Sequence, residues 1–217
     1  MREILLLRNK FEDYIIEEMS HKITYLIPGS KLDEIGNWYG TNRSEAFRKI
    51  SKFIISKNDL EERDKYYNHM LIINEKEQDI IGGQRFRFNY EIEDNIYKKS
   101  YLETSHPGIH KKILSTNKAF VEVGRTFVMP KYQKRSWLKE LIRGFIRIPE
   151  ALNIELALGM LSFNHNDLKK ESIYTFLNYL ENCNFKGNLN IDTPNSVRHL
   201  LYKKKEISTA NINLKEL

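Results

Sequence analysis

One segment constrains this chain more than any other. AFVEVGRTFV has the apolar content and length of a buried strand, MPKYQKR then breaks it with a proline and a basic loop, and a helix from about Ser136 to Ala151 follows. That helix carries its apolar stripe at Leu138, Leu141, Ile142, Phe145 and Ile146. A second apolar run, IELALGMLSF, reads as another strand, and KKESIYTFLNYLENCNF as another amphipathic helix with Ile173, Phe176, Leu177 and Leu180 in step. Strand, helix, strand, helix, placed after an antiparallel hairpin, is the layout of a mixed α/β sheet with helices on both faces.

The hairpin is NHMLIINEKEQDIIGGQRFRFNYEI, roughly residues 68 to 92, two β-rich runs around a polar turn. Gly82 and Gly83 predict a bulge or a close backbone approach in its second strand. Before it, SEAFRKISKFII sets Phe47, Ile50 and Ile54 on one helical face, with Ser44 as N-cap. Residues 1 to 20 read as one or two helices from the spacing of Leu6, Phe11, Ile15 and Met19, and LIPGSKLDEIG as a connection. Residues 1–43 are thus expected as a helical extension packed on the core, and 44–217 as the main domain. Between the hairpin and the strong strand, HPGIH carries His106 and His110, but the proline and glycine between them spoil the helical geometry a metal pair would use.

The 217 residues, 41% apolar, suffice for one well-filled core. There is no apolar run of the roughly 18 residues a membrane span needs and no secretory signal, so a cytoplasmic location is expected. The lone Cys183 excludes an internal disulfide and a cysteine zinc site. A net charge of +6 points to an acidic partner: nucleic acid, an anionic membrane surface or an acidic protein. Against nucleic acid, the aromatics are not interleaved with the basic residues and no RNA- or DNA-binding pattern is present.

Glu122 and Arg125, three apart, would face opposite sides of a regular strand. A bulge at Gly124 would turn both toward one cleft and free a backbone N–H for an oxyanion, whereas without it they are ordinary charges on an edge strand. In the following helix Arg135, Lys139, Arg143 and Arg147 recur every four residues, a repulsive row that the fold does not require. With Lys131 and Lys134 they make a basic rim at the helix N-terminus; a merely solvated face is the alternative.

VEVGRTFVMPKYQKRSWLKELIRGF, followed by GMLSFNHND and the helix ending FLNYL, resembles the acyl-carrier-dependent N-acyltransferases of the GNAT superfamily. That group includes ornithine and glycine lipid synthases, hemolysin-like acyltransferases and, more distantly, acyl-homoserine lactone synthases. The resemblance spans roughly residues 44 to 182 and implies a GNAT-like central mixed sheet with flanking helices. It assigns catalytic positions to Glu122, Gly124 and Arg125, and substrate contacts to Arg48, Asp64, Arg85, Ser162 and Asn164, with Glu61 or Glu62 as alternatives to Asp64.

An acetyl-CoA enzyme of this superfamily has a glycine-rich loop whose N–H groups cradle a pyrophosphate. Here the loop reads QKRSWL, with Trp137 beside the place of a glycine. The implied donor is therefore acyl-phosphopantetheine on an acidic acyl carrier protein, met by Lys131, Gln133, Lys134, Arg135, Lys139 and Arg143. The expected reaction is attack of an amino-acid or similar amine on a long-chain, in some members 3-hydroxy, acyl thioester, giving an amide lipid. No tightly bound cofactor or metal is expected, and peripheral contact with the inner membrane is compatible with a lipid product. Phe127, Leu161 and Phe163 are candidate walls for the chain, a placement that plain core packing would equally explain. The rival readings are a CoA-dependent GNAT acyltransferase with an unusual loop and a non-catalytic basic binding module.

Overall fold

A computed structural model describes residues 2–50, 56–88, 100–115, 118–133, 137, 140–141 and 153–159, all within the first of two compact units, Met1–Met160. Six strands form one sheet in chain order: β1 (Ile15–Met19), β2 (Lys22–Pro28), β3 (Asn68–Asn74), β4 (Asp79–Phe88), β5 (Phe120–Val128) and β6 (Leu156–Gly159). The first five pair antiparallel and β6 runs parallel to β5. Helices α1 (Arg2–Phe11) and α2 (Gly36–Ile50) precede the central hairpin, and two short helices, α3 (Tyr101–Ser105) and α4 (Ile109–Leu114), precede β5. The mixed α/β architecture expected from the sequence is the one observed.

Burial explains the central strands. Five consecutive residues of β3, His69 to Ile73, are buried, so the middle of the sheet is covered on both faces. Tyr39 of α2 and Phe127 of β5 meet in this core with ring centroids 6.1 Å apart.

The N-terminal 43 residues differ from a helical extension. Residues 2–11 form an α-helix, the chain then passes through a 3-10 turn into the β1–β2 hairpin, which extends the sheet, and α2 begins at Gly36. Ile23, Tyr25 and Ile27 alternate along β2 and are buried, a period-2 signal that the helix-like spacing of Phe11, Ile15 and Met19 masked. Ser44 is not an N-cap: α2 begins at Gly36, and the Ser44 hydroxyl lies mid-helix, donating to the carbonyl of Ser56. Gly40 permits close packing, because a Cβ there would stand 1.8 Å from Asn58 Oδ1.

Two bulges shape the middle of the sheet. Ile81 has no partner of its own between the Ile72–Gly82 and Ile73–Ile80 pairs. Gly82 and Gly83 allow close backbone approach, since a Cβ on them would lie 2.4 Å from Phe127 O and 2.7 Å from Met70 O. The second bulge is in β5: between the Gly83–Phe127 and Arg85–Gly124 pairs, Arg125 and Thr126 stand opposite the single residue Gln84. Arg125 adopts φ +51°, the left-handed conformation such a bulge uses. Beyond Trp137, Glu140 and Leu141 the expected helix lies outside the described residues, as do Cys183, Leu161, Phe163 and the second amphipathic helix.

Candidate active site

The site is built on one face of β4 and β5. Arg85 and Arg87, two apart on β4, pair in register with Gly124 and Glu122 on β5, so all four positions share a face. His69 of β3 lies opposite Arg85 on the same face.

Behind them is a buried ionic chain. Arg43 of α2 is fully buried and uses its fork twice: Nε donates to Asp59 Oδ2 at 2.7 Å, while Nη1 and Nη2 donate to the two Asp64 oxygens at 3.2 and 2.7 Å. Asp64, in the 3-10 helix Glu62–Tyr66, also accepts Arg85 Nη1 at 2.6 Å and the Glu61 N–H at 2.9 Å. Burial alone would raise the Asp64 carboxyl, but the hydrogen bond from Arg43 and the charges of Arg43 and Arg85 outweigh it and hold the group well below the usual carboxylate range. Gly29 lets this 3-10 helix seat, because a Cβ there would come within 2.3 Å of Lys65 O and 2.5 Å of Tyr67 O.

Glu122 is 3% exposed. Its Oε1 accepts the Tyr67 hydroxyl and the Leu102 N–H, both at 2.9 Å, while Oε2 is buried with no hydrogen-bond partner. The Tyr67 ring lies under the Arg85 guanidinium at 4.5 Å. Burial, then the Glu122 charge, pushes the Tyr67 phenol up, so it serves as a donor. Arg85 Nε is likewise buried and unpartnered. A buried donor and a buried acceptor without partners, on neighbouring positions of one face, are what a reacting polar group would satisfy. Gly124 leaves room for it: a Cβ there would meet nothing nearer than Arg85 Nε at 3.8 Å.

Arg125 reaches the same side as this chain, because the bulge inverts the alternation. It pairs with Glu61 and stands 3.5 Å from Asp59 Oδ1. Glu61 also edges a cleft of about 270 Å³ lined by Leu32, Asn37, Asn58, Leu60 and Lys65.

The structure thus brings together Asp64, Arg85, Glu122, Gly124 and Arg125. Arg48 does not join them; it is exposed and donates to Ser44 Oγ at 3.0 Å, and Arg43, one and a half turns earlier, occupies the buried position. Glu62 stands outside as an exposed residue, and Phe127 is core. Lys131 is exposed and paired with Glu77 at 2.5 Å, and Gln133 donates to Val128 O at 2.9 Å. Trp137 packs edge-on to Tyr132 with centroids 6.0 Å apart. Lys134, Arg135, Lys139, Arg143, Ser162 and Asn164 lie outside the described residues.

Sequence reasoning missed Arg43, Arg87, Tyr67 and Asp59. Two signals were available. Arg43 sits four residues after Tyr39 and four before Phe47, on the apolar stripe of α2, and Arg87 follows Arg85 at strand period. Tyr67 and Asp59, on irregular backbone, gave none.

Residues 43–143 match the acetyltransferase (GNAT) domain family. Over that segment the chain is similar to GNAT acetyltransferases, the mixed sheet has the GNAT fold, and the match supports an acyltransferase enzyme. Among solved structures it is similar to a GNAT family acetyltransferase from Staphylococcus aureus, at 16% identity over 69% of this chain and 93% of that one, with a TM-score of 0.40. An aminoglycoside acetyltransferase from an uncultured soil metagenomic sample is similar at 13% identity over 80% and 95% of the two chains, TM-score 0.44. The acyl-homoserine lactone synthase LasI is similar at 14% identity over 65% and 72%, TM-score 0.44. No curated protein sequence matches the chain. No helix among the described residues is long and apolar enough to cross a membrane.

Proposed function

We propose that this enzyme transfers a long-chain acyl group from an acyl carrier protein thioester to the amine of an amino acid or similar acceptor, forming an amide lipid. The observation that carries the acyl-transfer chemistry is the pair of unpartnered buried atoms, Glu122 Oε2 and Arg85 Nε, beside the open position at Gly124. An ammonium acceptor gives a proton to Glu122 Oε2; the neutral nitrogen attacks the thioester carbonyl carbon; the C–S bond breaks, and the proton the nitrogen then sheds goes to the departing thiolate, leaving amide and free thiol. Arg85 Nε holds an anionic oxygen of the acceptor, and Arg125 exchanges Glu61 for the same group. Backbone amides at the β5 bulge stabilise the tetrahedral oxyanion.

Carrier protein as donor is supported by the loop QKRSWL, which has Trp137 beside the place where a pyrophosphate cradle wants glycine. A CoA thioester is the second reading. It is favoured by the acetyltransferase description of the matching family and by the pairing of Lys131 with Glu77 and Asp79, which withdraws one cation from the rim.

The test is mass spectrometry of lipids from cells expressing the wild type or Arg125→Ala, in a host supplying acyl carrier protein and common amino acids. New N-acyl amino acids that vanish in the variant support the proposal. Their absence, together with acylation of amines by CoA thioesters in vitro, selects the second reading.

A further inference from the structure

Every base that accepts a proton from substrate must lose it again, and Glu122 is almost wholly enclosed. Oε1 is occupied by Tyr67 and Leu102, so proton exchange falls to Oε2. The nearest titratable group that the described residues place there is His110 of α4, whose Nε2 is 3.8 Å from Glu122 Oε2. On the other side of the ring, Nδ1 is 3.8 Å from Glu103 Oε2. Glu103 is the exit, because its side chain is 23% exposed whereas those of His110 and Glu122 are 8% and 4% exposed.

We infer that His110 is a positioning residue that relays the proton from Glu122, through its own imidazole and Glu103, to solvent.

The surrounding bonds hold this arrangement. Glu103 is fixed by accepting the N–H of Gly108 at 2.7 Å and of His110 itself at 3.0 Å, so its carboxylate is tied to the start of the helix that bears the ring. Ser100 Oγ lies 2.9 Å from His110 Nε2 and already accepts the Glu103 N–H, leaving its hydroxyl hydrogen to donate to Nε2. This sets the tautomer with the proton on Nδ1, facing Glu103; the Nε2 lone pair is held by Ser100 at rest and becomes available to Glu122 when that hydroxyl turns away. The Phe120 ring packs on the imidazole at 5.4 Å.

The groups acting on the ring come from three elements. Glu103 of α3 and Glu122 of β5 favour its charged form; burial, and Arg87 of β4, oppose it. Burial dominates, so the imidazole sits below its ordinary value and is neutral at neutral pH, able to accept. In the step, the O–H bond of protonated Glu122 breaks as Nε2–H forms, Nδ1–H is released to Glu103 Oε2, and Glu103 gives the proton to water. A small rotation of the imidazole brings each nitrogen in turn from 3.8 Å into hydrogen-bond reach of its carboxylate. Exchange with the Ser100 hydroxyl and solvent returns the ring to its starting tautomer.

The inference rests on Glu122 acting as the base, and two measurements separate its fate from that of the functional reading. The first needs no substrate: ¹⁵N NMR of the intact protein labelled at histidine. His110 is expected as the Nδ1–H tautomer, with a titration midpoint that moves further down in Glu103→Gln. A protonated Nε2 in the neutral ring, or a midpoint unmoved by Glu103→Gln, overturns the relay even if acyl transfer is confirmed. The second is kinetic, on His110→Gln and, should that variant melt early, on His110→Asn. The expected result is a kcat about tenfold lower with the KM for the amine unchanged, recovered as imidazole buffer is raised, with no buffer dependence in the wild type. Unchanged kcat, or a loss that imidazole does not recover, overturns it.

Discussion

The Tyr67 hydroxyl donates a hydrogen bond to Glu122 Oε1 at 2.9 Å while its oxygen accepts the Tyr101 N–H at 2.7 Å. One phenol therefore ties the base on β5 to the start of α3, and its ring carries Arg85. Tyr67→Phe keeps the ring and removes only the hydroxyl. The Tyr101 N–H then loses its acceptor and Glu122 one of its two donors, a cost of about 1–3 kcal/mol. Chemical denaturation should show that loss, and kcat should fall about tenfold at temperatures where the variant is fully folded. An unchanged kcat would show that the hydroxyl serves the fold alone.

Asp64 gives a pH prediction with a definite sign. Its folded-state value lies below the ordinary 3.8, so its contribution to stability is complete above that pH and is lost as the pH falls further. Asp64→Asn leaves Arg43 and Arg85 buried without their shared counter-charge, which costs about 3–5 kcal/mol. The variant, if it folds, should have a lower Tm at pH 7 and a flatter acid limb below about pH 4 than the wild type. Thermal melts across pH 2.5 to 7 check both.

What the sequence made legible follows from where the physics is local. The β5 bulge was readable because a glycine inside VEVGRTF, between two charges of opposite sign, has few other uses; the structure moves the irregularity one residue on, to Arg125 and Thr126. The β3–β4 hairpin was readable from its two β-rich runs and its polar turn. The start of α2 was not: Gly36 and Gly40 look like loop residues, and only the tight approach of Asn58 and Leu60 explains Gly40. Arg43 was hidden for a related reason. A buried arginine needs its carboxylates, and these arrive from Asp59 and Asp64, which are 16 and 21 residues away in sequence on irregular backbone.

His69 carries a second pH signature. Its Nε2 lies 2.9 Å from the Asp64 carbonyl and so bears the proton, leaving Nδ1 to accept from the Tyr39 hydroxyl at 3.2 Å. Complete burial brings the imidazole down to about 4 from 6.5. Because the folded value lies below the unfolded one, the unfolded chain binds more protons between these two, and stability declines as pH falls from 6.5 toward 4. The decline is on the order of a few kcal/mol and should vanish in His69→Gln, which keeps a donor for the carbonyl. Denaturant midpoints at pH 7, 5.5 and 4.5 measure it; an equal slope in the variant would assign the titration elsewhere.

Gly124 separates site from fold. Gly82 and Gly83 in this sheet cannot carry a side chain, but at Gly124 a Cβ would meet only Arg85 Nε, at an ordinary 3.8 Å. Gly124→Ala should therefore fold with a change in stability within about 1 kcal/mol. The added methyl nevertheless enters the space beside Arg85 Nε where the reacting group is expected. Activity should fall by tenfold or more, about 1.4 kcal/mol of transition-state stabilisation, whereas Gly82→Ala, whose Cβ would stand 2.4 Å from Phe127 O, should lose stability first. Parallel melts and initial rates on the two variants decide it: an active Gly124→Ala enzyme would move the reacting group away from Arg85, leaving Glu122 to work on a different part of the cleft.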